Sequence, residues 1–244
     1  MLDVHPAHHA ATTWRDFFIH IATIVLGLLI AVALEQTVEA VQHSIERHEL
    51  IADFHRECEA NNKMIEANLA IFNVELARNN GVAGAIRQAR PVVGFVTVVV
   101  PPRQNLDGWQ LPSHTVWTVA KSNGKAALLP DDLAQVYDRI DLQAAEYMRA
   151  LQRSSDADTR VSSVMQRLGT RLAAGETLHL SVGDAEDLAN ALSDSSAAIG
   201  YLENWALNWE AGSEAVLHGI QQRDQMGDYF PEVKERHHFR LYTQ

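Results

Sequence analysis

The chain of 244 residues carries 20 Lys and Arg against 31 Asp and Glu, a formal net charge of −11, with 47% hydrophobic residues, 21% charged residues and one cysteine. That length accommodates one sizeable folded domain plus a further element, and the acidic balance, with no basic run of five or more, excludes the usual electrostatic footprint of a nucleic-acid binder. Cys58 cannot form an internal disulfide and joins no Cys/His cluster of zinc-finger spacing, so its redox compartment stays open.

After a tail over residues 1–16, the run FFIHIATIVLGLLIAVAL at 17–34 is uncharged, with His20 and Thr23 as its only polar residues. At about 1.5 Å per residue it covers roughly 27 Å as a helix, against a hydrocarbon core of about 30 Å. Trp14 and Glu35 flank it where interfacial residues belong. A transmembrane helix is therefore expected over 17–34. The competing reading is a cleaved signal peptide, because Ala31-Val32-Ala33 supplies a small-x-small site. Against it, the only fixed cation ahead of the run is Arg15, offset by Asp3 and Asp16, and nothing breaks the helix beyond Ala33. His20 lies near the end of the run and can snorkel to the interface.

Thr23, Gly27 and Ala31 are spaced four apart, so they share one shallow helix face, and Glu35 continues the line beyond the run. This face is the expected contact with a second copy or with another membrane protein. The competing reading is that small residues are simply common in spans, since the pattern is not a full GxxxG.

Residues 35–80 hold no Pro or Gly and repeat apolar or small residues at Val38, Val41, Ile45, Ile51, Phe54, Cys58, Ile65, Leu69, Phe72 and Leu76, the pattern of an amphipathic stalk helix. Asn61 and Asn68, seven apart near that stripe, either fix register in a coiled coil or sit solvated on the helix edge. Cys58 reads as a small core residue. A break is expected at Asn79-Asn80-Gly81, before a short helical piece over 83–89. Residues 92–100, β-branched and bounded by prolines, form one extended segment. It either pairs with residues 177–182 or lies as extended chain over the helices.

Ser113 is the expected N-cap of a short helix ending at Ser122-Asn123-Gly124. Pro130-Asp131-Asp132 opens a long helix with the stripe Leu133, Val136, Tyr137, Ile140, Ala144, Tyr147 and Leu151. After a polar interval at 154–159, read as a kink, it resumes through Val161, Val164, Met165, Leu168 and Leu172 to Gly175. Asp184 is the expected cap of a last long helix carrying Leu188, Leu192, Ile199, Leu202, Trp205, Trp209, Val216 and Ile220. Beyond Gly227, Pro231 opens a polar tail over 227–244. The expected fold is all-α: one N-terminal transmembrane helix, a stalk over 35–80 and a helical bundle over 81–226 with at most one short strand pair.

Motifs for chemistry are sparse. GxSxG, GxGxxG and HExxH are absent, and Asn123-Gly124-Lys125 fails as a phosphate loop because Val119 replaces the leading glycine and Ala126 follows the lysine. Glu235-Arg236-His237-His238 holds one Glu-x-x-His step, whereas a di-iron bundle needs two plus two further glutamates. His5 with His9 and Glu214 with His218 give only ligand pairs, so no metal, cofactor or catalytic residue is assigned. Tyr201, Trp205 and Trp209 form an aromatic stripe that either lines a ligand pocket or packs in the core, the latter favoured by helical spacing.

The stretch Val25-Leu26-Gly27-Leu28-Leu29-Ile30-Ala31, followed by Glu49-Leu50, Phe54, Glu57 and Asn61, resembles the start of uncharacterised bacterial single-pass membrane proteins, family 6090 of the domains of unknown function. The segment from Trp117 to Tyr137 with its Ser122-Asn123-Gly124 turn is also similar. The chain departs from that family just past the run, where Gln36-Thr37-Val38 stands in place of an Asn-Asn-Trp sequence. The resemblance implies an inner-membrane anchor with a cytoplasmic N-terminus and a periplasmic helical domain, and implies no activity.

Three function classes follow. A non-enzymatic membrane-anchored interaction or scaffold protein, in contact with the lipid bilayer and either homo-oligomeric or bound to another inner-membrane protein, asks for no missing chemistry. A periplasmic ligand sensor acting near Trp205 and Trp209 would have to work through a partner, since only 16 residues precede the span. An enzyme ranks last, for want of a nucleophile motif, cofactor loop or ligand set.

Overall fold

The computed structural model describes residues 13–102 and 108–237, which fold as helices and one two-stranded sheet. The chain divides into two units, Met1–Glu49 and Leu50–Gln244. Helix α1 runs Trp14–Gln88. At its start the Thr13 hydroxyl donates to Asp16 Oδ2 at 2.7 Å and accepts from the Asp16 N–H at 3.2 Å, a reciprocal cap.

Within the second unit, Leu50, Phe54, Cys58, Asn61, Ile65, Asn68, Leu69, Phe72, Leu76, Asn79, Val82, Ala83 and Ile86 are the buried residues of α1. Their three-and-four spacing is the expected stripe, but it does not stop at residue 80. Asn79-Asn80-Gly81 is helical, and the break expected there is absent. A mid-helix glycine costs about 1 kcal/mol relative to alanine, less than burying Val82 and Ile86 returns. Gly81 also answers a steric need, because a Cβ there would lie 3.3 Å from the Pro101 ring.

Strand β1, Phe95–Val99, pairs antiparallel with β2, Thr177–Ser181, with Val98 opposite Leu178. The alternative of an unpaired extended segment is thereby excluded. The expected single stretch over 92–100 is interrupted: Val92 and Phe95 exchange hydrogen bonds of 2.8 and 3.1 Å around a turn in which Val93 and Gly94 have φ of 50° and 80°. Val96, Val98, Leu178 and Leu180 face inward and join Val82, Ile86 and Leu188 in one apolar cluster.

Helix α2, Thr115–Ser122, is followed by a 3-10 turn at Lys125–Leu128 and by α3, Asp131–Leu168. The N-cap of α2 is His114, not Ser113. Helix α3 runs unbroken through 154–159, so the polar interval does not end it. Ser154 is buried on it, and Asp158 accepts a 2.8 Å bond from Ser195, which itself accepts from the buried Asn79 amide at 3.0 Å. The polar interval therefore meets a polar partner on α4, which Asn79 of α1 holds in turn. Helix α3 ends at Leu168 and not near Gly175, because Gly169 adopts φ 66° and its N–H turns back to Gln166.

Helix α4, Val182–Leu217, is capped by Ser181, whose hydroxyl accepts from the Asp184 N–H at 3.1 Å while donating to Asp184 Oδ2 at 2.7 Å. Asp184 thus fills the third helical position and is not the cap. A 3-10 turn at Arg223–Asp228 leads to α5, Tyr229–Arg236, so the segment read as a polar tail is helical as far as residue 236. Its anchor is Val233, which is fully buried. Phe54 stacks on Tyr137 at 3.9 Å and Trp117 meets Tyr137 edge-on at 5.3 Å, marking the centre of the larger core.

Candidate functional site

The most apolar 18-residue window of α1 has a mean hydropathy of 2.7, and none of it is buried. It is long and apolar enough to cross a membrane. Leu26, Leu28, Leu29 and Ile30 are all exposed, and each such side chain left in water forfeits about 1.5–3 kcal/mol. Ahead of them Trp14, Phe17 and Phe18 form an exposed aromatic group with centroids 5.7 to 6.0 Å apart, the chemistry of a membrane–water boundary. Thr23, Gly27, Ala31 and Glu35 lie exposed along one helix line. A Cβ on Gly27 would meet nothing within 4 Å, and the Thr23 hydroxyl is satisfied by the Ile19 carbonyl at 2.9 Å. No described residue covers this face.

The aromatic stripe separates into three environments. Trp209 is fully buried and meets Tyr147 edge-on at 5.5 Å inside the larger core. Trp205 is half-buried, whereas Tyr201 is exposed with the Arg153 guanidinium 5.0 Å from its ring centre. None of the three lines either cavity described below. Packing is thus what Trp209 does, while Trp205 and Tyr201 stand nearer the surface.

Asn61 and Asn68 are neither solvated nor in a coiled-coil seam. Asn61 accepts from the Ser113 N–H at 2.8 Å and donates to its carbonyl at 2.6 Å, and Asn68 does the same to Gln110 at 3.0 and 2.6 Å. Seven helical residues rise about 10.5 Å and three extended ones about 10 Å, so residues 110–113 lie antiparallel along α1 in register. One turn earlier, Glu57 Oε1 accepts from the Ser113 hydroxyl at 2.7 Å and from the Thr115 N–H at 2.9 Å. Glu57 therefore serves as the cap of α2 that Ser113 was expected to be.

A second polar cluster joins α4 to α5. Buried Glu210 accepts from His237 Nε2 at 3.0 Å and lies 3.4 Å from Arg236, whose guanidinium also grips Glu214, at 3.0 Å through Nη2. Burial raises the pKa of Glu210 above the ordinary carboxylate range, opposed by His237. Burial likewise raises Glu203, with His237 opposing. Glu214 and His218 do not form a ligand pair: Glu214 is held by Arg236, and His218 stacks on Tyr229 at 5.4 Å. Among the described residues no group of three or more His, Cys, Asp or Glu is placed to hold a metal. His5, His9 and His238 lie outside the described residues.

A cavity of about 260 Å³ opens between α3, α4 and the Arg223–Asp228 turn, lined by Arg139, Gln143, Asn208, Ala211, Arg223, Asp224, Met226, Gly227 and Phe230. A shallower depression of about 550 Å³ shares Arg223 and Asp224. Gln143 is 6% exposed and its Oε1 has no hydrogen-bond partner. Leaving a buried polar group unpaired costs about 1–3 kcal/mol. A Cβ on Gly212 would fall 2.3 Å from that oxygen, so the glycine makes the room in which the amide lies. Gln143 was not singled out from sequence, although a glutamine beside Ile140, Ala144 and Tyr147 on the apolar stripe of α3 is a legible signal.

No family model, curated protein or solved structure matches this chain.

Proposed function

We propose that the protein is a non-enzymatic, membrane-anchored interaction or scaffold protein, held by residues 17–34 and acting as an accessory subunit of a membrane complex or as a homo-oligomer. The observation that carries this reading is the fully exposed apolar window of α1, flanked at its start by exposed aromatics and followed by the helical domain. A surface of that extent calls for lipid or an apolar partner. The resemblance to family 6090 supports a bacterial inner-membrane location, with the N-terminus in the cytoplasm and the helical domain in the periplasm. Contact through Thr23, Gly27, Ala31 and Glu35 is supported by their shared line and by the open space over Gly27.

The test is extraction of the full-length protein from its native membrane in mild detergent, followed by mass determination and identification of whatever accompanies it. A homo-oligomer or a stoichiometric membrane partner is expected, and Gly27→Leu should lower that association without changing the melting temperature of the helical domain. A monomer that extracts alone, or association unchanged by Gly27→Leu, would sink the small-residue face as the contact.

A further inference from the structure

We propose that residues 34–45 of α1 form one strand of a parallel two-stranded coiled coil with α1 of a second copy, with Val38 and Ile45 at the a positions and Leu34 and Val41 at the d positions. The inference rests on the membrane-anchored reading above and selects, from its partners, a second copy of this chain.

The first observation is an apolar surface that lipid does not explain. Leu34, Val38, Val41 and Ile45 are 65%, 60%, 56% and 55% exposed. Only Leu34 belongs to the uncharged run. Val38, Val41 and Ile45 share their turns with Glu35, Glu39, Gln42 and Glu46, which a hydrocarbon layer does not accept. These three side chains therefore stand in neither the bilayer nor the folded core.

The second observation is spacing. From Gly27 through Ala31, Leu34, Val38 and Val41 to Ile45 the steps alternate four, three, four, three and four, the 3.5-residue period of a coiled-coil seam. Every large apolar residue between Glu35 and Glu49 falls on this seam, and the exposed Gln36, Glu39 and His43 stand on the opposite side of the helix. The repeat is separate from the stripe that the domain buries, because the step from Ile45 to the buried Leu50 is five residues.

The third observation concerns what a second copy would meet. Two copies held by the same span run parallel in one bilayer. In that arrangement Glu35, Gln42 and Glu49 of one helix flank Ile30, Thr37 and Ser44 of the other, so no like charges face each other across the seam. Val38 and Ile45 at a with Leu34 at d is the combination that favours two strands. At roughly 60–120 Å² per Val, Leu or Ile side chain, Leu34, Val38, Val41 and Ile45 in two copies bury on the order of 500–1,000 Å². The flanking residues and the close approach open at Gly27 bring the seam to the about 1,000 Å² that a specific interface needs.

The experiment is oxidative cross-linking of the full chain in its native membranes. Single cysteines are introduced on the seam by Leu34→Cys, Val38→Cys, Val41→Cys and Ile45→Cys, and on the other side by Gln36→Cys, Glu39→Cys and His43→Cys; the native Cys58 is buried. Covalent dimers are expected at the seam positions and not at the outer ones. In mild detergent, Val38→Asp should raise the dimer dissociation constant at least about tenfold, Val38→Ile should preserve it, and neither should move the melting temperature of the helical domain. Cross-linking at no position, cross-linking equal on both sides, or a dimer unaffected by Val38→Asp overturns the coiled coil. A membrane-bound chain that co-purifies with a foreign membrane protein and gives no covalent dimer overturns it while the scaffold reading stands. A chain that does not pellet with membranes sinks that reading and this inference with it.

Discussion

The two stretches of α1 on either side of Glu49 share one backbone conformation and almost nothing else. The first leaves its leucines, isoleucines and valines exposed all round. The second buries a residue every third or fourth position and places Asn61, Asn68 and Asn79 among them. What differs is where polarity is spent. In the second stretch each buried asparagine has a named partner, which fixes where neighbouring chain must lie. In the first, residues 17–34 carry only His20 and Thr23 as polar side chains, and the polar residues from Glu35 onward have no buried position to fix.

The sharpest break of that comparison is Leu26→Arg with Leu29→Arg. Each arginine at the centre of a span costs about 2.5–3.5 kcal/mol, so most of the protein should leave the membrane fraction on flotation. A chain starting at Gln42 should likewise remain in the aqueous phase and stay helical by circular dichroism. Unchanged flotation of the double variant would mean that the apolar stretch meets protein instead of lipid. Next in size is Trp209→Ala, which should cost about 3–5 kcal/mol of domain stability in chemical denaturation, whereas Tyr201→Ala should fall within about 0.5 kcal/mol of the parent. Equal effects at the two positions would contradict their different burial.

Asn68→Leu comes third, with an expected loss of about 1–2 kcal/mol from two hydrogen bonds. Hydrogen exchange at the Gln110 amide should accelerate, while exchange within β1 should not change. The smallest effect concerns Glu203. Burial raises its pKa from the ordinary value of 4.5, so the folded state holds the proton more tightly than the unfolded chain does. That contribution is present at acid pH and is lost as pH climbs through the raised value. Asp158 and Glu210 are shifted in the same direction. Glu203→Gln should therefore raise the melting temperature by a few degrees near pH 7 and flatten its decline as pH rises above the ordinary carboxylate range. A variant that melts lower at pH 7 would show that the carboxylate is well compensated where it stands.

Helical content and the apolar stripes of α1, α3 and α4 were legible because side-chain period follows directly from backbone geometry. Pairing of β1 with β2 was left open, since one β-branched run has no local mark of its partner. The errors cluster where a distant residue supplies what a local rule expects nearby. Gly81 reads as a break until Pro101 is seen against it. Ser113 reads as a cap until Glu57, on another helix, takes the role. The interval at 154–159 reads as solvated until Ser195, itself held by Asn79, bonds Asp158 within it. The cavity was less legible still: the stripe Tyr201, Trp205, Trp209 drew attention through its aromatic rings, while the cavity gathers Gln143, Asn208 and Arg223 from separate elements that no single window joins.

Cys58 lies in the larger core, 2% exposed, and burial pushes its thiol up to about 12. A thiolate so disfavoured does not react with alkylating reagents while the helices remain packed. As the chain has one cysteine, its modification needs no background subtraction. The unaltered protein thus carries its own clock: the rate at which a maleimide labels it reports how often the bundle opens, in detergent, in nanodiscs or in the native membrane.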